Sequence, residues 1–298
     1  MRWSRTSIIG LALALLAGCS AVRLGYNQAP QLAYWWLDSH LDFNADQTPR
    51  VREALANWFA WHRQTQLADY AATLSRARAE AEADVSAAQV CRWNDQLRER
   101  LDPAIERVLP QAAEIALTLT PAQVNHLDKR LQVANEKFRK EHLQADPAER
   151  QETAGERLIE RFESLYGRLD DGQRRQVAAS AATSPYDADA WFTEREARQR
   201  DLVAALRGIV ASKPDAARVQ AILRTLARRF DGSPLGPLQT ARERLTQHYC
   251  VHVARFHNGT SSAQRQHLRK KLAGWEGDFR QLAAEALPAG AAVRLGSR

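Results

Sequence analysis

Four short stretches of this sequence repeat one pattern: "VSAAQ" from Val85, "LTPAQ" from Leu119, "LDDGQ" from Leu169 and "TSSAQ" from Thr260. In each, a Ser, Thr or Asp stands three residues before a Gln. The short side chain accepts from the amide of the third helical residue, and the Gln reaches back to the amide of the cap. A chain that opens helices this way four times is committed to helical structure. Between these starts Ala, Leu, Arg, Gln and Glu dominate, and no segment longer than a few residues alternates as a strand does. Further starts stand at Thr48 before Pro49, Asp102 before Pro103, Asp146 before Pro147, and Asp215. The reading is all-α: a multi-helix bundle or array of antiparallel helices, about 10 to 12 in number.

The first 18 residues combine Arg2 and Arg5, an apolar run from Ile8 to Leu16, and small residues, the pattern of an export signal. The run is too short to span a bilayer, which takes about 20 apolar residues. Leu16, Ala17, Gly18 and Cys19 resemble the lipobox of bacterial lipoproteins, with Cys19 where that class is cut and lipidated. That resemblance implies attachment by lipid, and Ser20 implies retention in the outer membrane on its periplasmic side. Residues 19–29 then read as a tether of at most about 35 Å. The chain is divided into a signal (1–18), this tether (19–29), an N-terminal helical region (30–184), a basic C-terminal helical region (185–287) and a loose tail (288–298).

Two further cysteines, Cys91 and Cys250, are either a disulfide, as an oxidising compartment permits, or two buried thiols. Charge is uneven: Lys213 to Arg298 carries 15 basic against 6 acidic side chains. Such a field favours anionic partners, which in an envelope are lipid head groups or cell-wall polymers and not nucleic acid. An envelope protein is the other expected kind of partner; oligomeric state is left open. The basic face is clearest in the helix from Ser262, where Arg265, Arg269, Lys270 and Lys271 oppose Leu268, Leu272, Trp275, Phe279 and Leu282. That apolar stripe is expected to face the core.

Local signatures of catalysis are missing: the sequence has no G-x-S-x-G, S-x-x-K, H-E-x-x-H or phosphate-loop motif. His248 and His252, one helical turn apart, have the spacing of a metal pair, but Cys250 between them points elsewhere, and they are read as packed or exposed side chains. Carboxylate pairs such as Glu160 with Glu163, and Asp170 with Asp171, are read as solvated. No cofactor, no metal and no enzyme activity are expected. The alternative is an envelope enzyme acting on cell-wall or lipid substrates, with carboxylates in an inter-helix cleft.

The densest cluster is aromatic. Tyr34, Trp35 and Trp36 stand in a row, and Trp58 and Trp61 follow on the next helix. They can fill a core, lie at a membrane interface or stack on a ligand. The core reading is adopted, because the stripe of Val51, Leu55, Trp58 and Phe59 offers a matching apolar surface.

"LTPAQ" is similar, over Leu119, Thr120 and Gln123, to the LTxxQ motif of Spy-type periplasmic chaperones, with Leu169 and Gln173 as an echo; a capping box accounts for the same letters. "LAGCSAVRLGYNQAPQLAYWWLDSHLDF" followed by "QTPRVREALANWFAWHR" resembles the N-terminal signature of a family of proteobacterial lipoproteins of unknown function. Together these readings point to an outer-membrane-anchored helical lipoprotein acting as a binding, scaffold or chaperone-like module.

Overall fold

The computed structural model describes residues 21–144, 146–230 and 238–285. Among them are twelve α-helices and no strand: α1 (Ala21–Leu41), α2 (Gln47–Thr65), α3 (Leu67–Glu80), α4 (Ala87–Glu99), α5 (Leu101–Thr118), α6 (Pro121–His142), α7 (Pro147–Tyr166), α8 (Asp171–Ala182), α9 (Ala188–Ser212), α10 (Ala216–Phe230), α11 (Gln239–Asn258) and α12 (Ser262–Glu285). The expected signal (1–18) and the expected loose tail (288–298) lie outside the described residues, as do residues 231–237.

The capping boxes form as the sequence dictates. Ser86, Thr120 and Asp170 each accept from the amide of a Gln three residues on, whose side chain accepts from the cap amide in return. Ser261 and Gln264 do the same. A fifth box was not read from the sequence: Asn44 accepts from Gln47 N at 3.0 Å, and Gln47 Oε1 accepts from Asn44 N at 3.1 Å. The expectation of Thr48 as cap falls a turn late because the motif there carries Asn.

These boxes do more than start helices; they dock turns against each other. Gln47 and Gln123 donate reciprocally, Nε2 to Oε1, at 3.2 and 2.7 Å. Each also donates to the carbonyl two residues before the other's cap, Gln47 to Thr118 O and Gln123 to Asp42 O, both at 2.9 Å. Gln173 and Gln264 repeat the arrangement at 2.9 and 2.7 Å, with Gln264 donating to Arg168 O at 3.0 Å.

The repetition extends to the whole fold. In one lobe α5 packs on α10, α6 on α9, α1 on α6 and α2 on α5. In the other, α11 packs on α4, α12 on α3, α7 on α12 and α8 on α11. Every pair in the first set becomes one in the second by moving six helices along and wrapping round. The chain is thus two six-helix halves that exchange their middle pairs: α3 and α4 complete the core of the second half, and α9 and α10 complete that of the first.

The cores follow this exchange. One gathers Ala113, Ala116, Val124, Leu127, Val203, Leu206, Ile209 and Val219. The other joins Ala81, Ile159, Phe162, Val177, Phe256, Leu268 and Leu272, with Val85, Val90 and Cys250 beside it. The division expected near Pro185 does not follow the packing, since each core takes residues from both sides of it. A boundary read from charge and a turn is linear, whereas these cores are assembled from non-adjacent pairs.

The expected tether is also corrected. From Ala21 onward residues 19–29 are helix, continuous through Pro30, so the reach from Cys19 to the fold is far shorter than 35 Å.

Candidate functional site

Helix α1 rests on α2, α6 and α12, all on one side, and its two faces differ in an unusual sense. The inner face is polar and aromatic. Arg23 pairs with Asp278 at 3.4 Å, Asn27 accepts from Arg63, and Gln31 accepts from Arg52 at 2.7 Å. Tyr34 is 6% exposed, bonded to Thr48 Oγ1 at 3.1 Å and covered by the Arg52 guanidinium 3.8 Å from its ring centre. The outer face carries Leu24, Gln28, Leu32, Trp35, Trp36 and Ser39 at helical spacing. Leu24, Leu32, Trp35 and Trp36 are 60, 51, 58 and 62% exposed.

The core reading therefore holds for Tyr34 and fails for Trp35 and Trp36. Consecutive residues on a helix diverge by about 100°, and the neighbours cover α1 from one side only, so Tyr34 turns inward while both tryptophans face out. Sequence reasoning overlooked Leu24 as part of this face. The available signal was charge: no Asp, Glu, Lys or Arg occurs between Arg23 and Asp38.

Trp58 and Trp61 are half-buried and do structural work elsewhere. Trp58 Nε1 donates to Ala104 O at 3.0 Å, joining α2 to α5, and the indole stacks on His62 at 4.9 Å. His62 is a hub: Nδ1 meets Tyr26 OH at 2.9 Å and Nε2 meets Tyr70 OH at 3.3 Å. Burial holds the His62 imidazole below its usual range and pushes the Tyr26 hydroxyl up to about 12. This cluster fastens the first turns of α1 to α2 and α3.

Cys91 and Cys250 are joined by a disulfide, Cα atoms 5.4 Å apart. It ties α4, one of the exchanged helices, to α11 in the core that receives it. At the corresponding contact of the other lobe, Arg224 of α10 makes a two-pronged ion pair with Glu106 of α5 at 2.7 and 2.8 Å.

The basic face of α12 is largely engaged. Arg265 pairs with Asp84 at 2.5 Å, Arg269 with Glu82 at 3.1 Å, and Lys271 lies 6.0 Å from the Trp275 ring, leaving Lys270 exposed. Leu268, Leu272 and Leu282 are buried, with Trp275 and Phe279 half-buried. The rings of His248 and His252 are tilted against each other with centres 4.1 Å apart, and His248 Nε2 lies 3.0 Å from Ser180 O. Among the described residues no group of three or more His, Cys, Asp or Glu side chains is placed to hold a metal. Glu163 is paired with Arg174, Asp170 caps α8, and Glu160 is exposed. Carboxylates do line one inter-helix groove of about 250 Å³, Glu53 from α2 and Glu114 from α5, with Arg50, Asn57 and Gln111.

The model of a family of unknown function, DUF6279, matches residues 39–229. The chain belongs to this family. No curated protein and no solved structure matches the chain. The DUF6279 match spans Pro185 without a break and contains both exchanged pairs, α3 with α4 and α9 with α10. It begins at Ser39, so the exposed Leu24, Leu32, Trp35 and Trp36 precede the matched segment. Cys19 lies outside the described residues, two positions before α1.

Proposed function

We propose that this member of the family is a bacterial envelope lipoprotein, held by lipid on Cys19 at the periplasmic side of the outer membrane, whose helical array works by binding, as a scaffold or partner-holding module. The lipobox "LAGC" standing directly before a folded helix carries the reading. The disulfide between Cys91 and Cys250 supports it, because such bonds persist in an oxidising compartment and are rare in the cytosol. A chaperone-like role would not run through the LTxxQ letters, since Leu119 and Gln123 are buried in the docked turns. The test is Cys19→Ala: the native chain should fractionate with outer membranes and carry acyl mass, and the variant should lose both. Unchanged fractionation with the same mass would sink the anchor. In-cell crosslinking with mass spectrometry then names the partner.

The enzyme reading has its footing in the groove between α2 and α5, where Glu53 and Glu114 line opposite walls. Turnover of cell-wall fragments or phospholipids that disappears in Glu53→Gln and Glu114→Gln variants would favour it over binding.

A further inference from the structure

We infer that the outer face of α1 lies flat on a phospholipid bilayer, seating Leu24, Leu32, Trp35 and Trp36 at the level of the head groups and upper acyl chains. The inference rests on the anchor at Cys19 proposed above and adds the orientation of the whole molecule. Surface helices bury their apolar side and wet their polar side. Here the order is inverted, with Arg23, Asn27 and Gln31 bonded inward and leucines and tryptophans turned out.

The fold supplies its own control. Helix α7 occupies in the second half the place that α1 occupies in the first, and both end at a residue with positive φ, Asp42 at 49° and Gly167 at 78°. Aligned on that residue, Tyr34 corresponds to buried Ile159, whereas Leu24, Leu32, Trp35 and Trp36 correspond to Glu149, Arg157, Glu160 and Arg161, all exposed. The architecture is therefore content with a charged face at this position. The apolar one answers to something outside the fold.

That something is identified by reach. Two residues of extended chain span about 7 Å, so acyl chains on Cys19 would hold the first turn of α1 against the head groups. From there the stripe runs about 18 Å to Trp36, too short to cross a hydrocarbon core of about 30 Å, and no described helix is long and apolar enough to do so. Lying along the surface satisfies both constraints, and tryptophan favours that depth. A second copy of the chain is the weaker occupant: four half-covered side chains on one helix fall short of the roughly 800 Å² per partner that a stable dimer buries.

The experiment uses the chain processed from Cys19, in acylated form and as Cys19→Ser, with vesicles of phosphatidylethanolamine and phosphatidylglycerol whose acyl chains are brominated. In both forms tryptophan emission should be quenched on binding, and Trp35→Ser with Trp36→Ser should remove that quenching and weaken binding of the unacylated form by at least about tenfold, with an unchanged melting profile. Equal quenching in native and substituted chains would overturn the proposal. So would a concentration-dependent dimer that the substitutions dissolve. Failure of the anchor reads out separately, as absence of acyl mass on protein from cells while the unacylated chain still binds vesicles.

Discussion

Gln123 Nε2 donates to Gln47 Oε1 at 2.7 Å while Gln47 Nε2 donates back to Gln123 Oε1 at 3.2 Å, across 76 residues of sequence. Both side chains are buried, and each amide is satisfied twice over, by its partner and by backbone. Two local capping devices are thereby converted into one long-range contact. Replacing Gln123 with Leu strands the Asp42 carbonyl and the Thr120 amide and leaves Gln47 with only its bonds to Thr118 and Asn44, at a cost of about 2 to 4 kcal/mol. Urea unfolding should show Gln47→Leu and Gln123→Leu as non-additive, the double variant losing clearly less than the two singles combined.

The disulfide should matter more than any single cap. It closes a loop of 159 residues, for which loss of denatured-state entropy amounts to roughly 5 kcal/mol in the chain-entropy model. Thermal unfolding with and without reductant should therefore separate widely, and Cys91→Ala with Cys250→Ala should melt where the reduced native chain does. Coincident melts would mean that the exchanged pair is held by packing alone.

His257 is buried, with Nε2 at 3.0 Å from Ala83 O and Nδ1 at 3.1 Å from Tyr166 OH. A carbonyl only accepts, so the proton sits on Nε2 and Nδ1 accepts from the tyrosine. Burial, against the pull of the Ala83 carbonyl, holds this imidazole below its usual range. The unfolded chain consequently binds a proton that the folded chain refuses. Stability should be unaffected above neutrality and fall as pH drops through the ordinary histidine range towards the lowered folded value, with a slope of at most about 1.4 kcal/mol per pH unit from this residue. Chemical denaturation between pH 7.5 and 5 should show a shallower decline in His257→Gln than in the native chain.

Gly167 ends α7 at φ 78°, and a methyl group there would stand 3.4 Å from the His267 ring. Gly167→Ala should cost about 1 to 3 kcal/mol, because φ 78° with ψ −162° is a backbone conformation that only glycine adopts readily. Asn should recover none of that loss in the same denaturation assay, because ψ at Gly167 is −162°, outside the left-handed helical region that Asn tolerates.

The segmental chemistry of this chain was legible one residue at a time. Helix starts were marked by caps whose hydrogen bonds reach only three residues, so "LTPAQ" and "LDDGQ" announced α6 and α8 before any tertiary contact was known. The stripe of Leu268, Leu272 and Leu282 likewise announced a buried face on α12. The fifth box, at Asn44, escaped notice because an Asn three residues before Gln falls outside the Ser, Thr and Asp starts considered. The tryptophans escaped for another reason: a helix with apolar groups on nearly every side carries no internal mark of which side its neighbours will take.

By itself, then, the sequence determined that the chain is helical and where most helices begin, because those properties depend on residues within a turn or two of each other. The tertiary structure decided which turns dock, that the halves exchange α3–α4 for α9–α10, that Cys91 meets Cys250, and that Trp35 and Trp36 face outward while Tyr34 does not. Each of those outcomes depends on which non-adjacent pair supplies the opposing surface. A cap is satisfied by its own helix, but an apolar face is satisfied by whatever the fold brings to it, and on the outer face of α1 the described residues leave Leu24, Leu32, Trp35 and Trp36 more than half exposed.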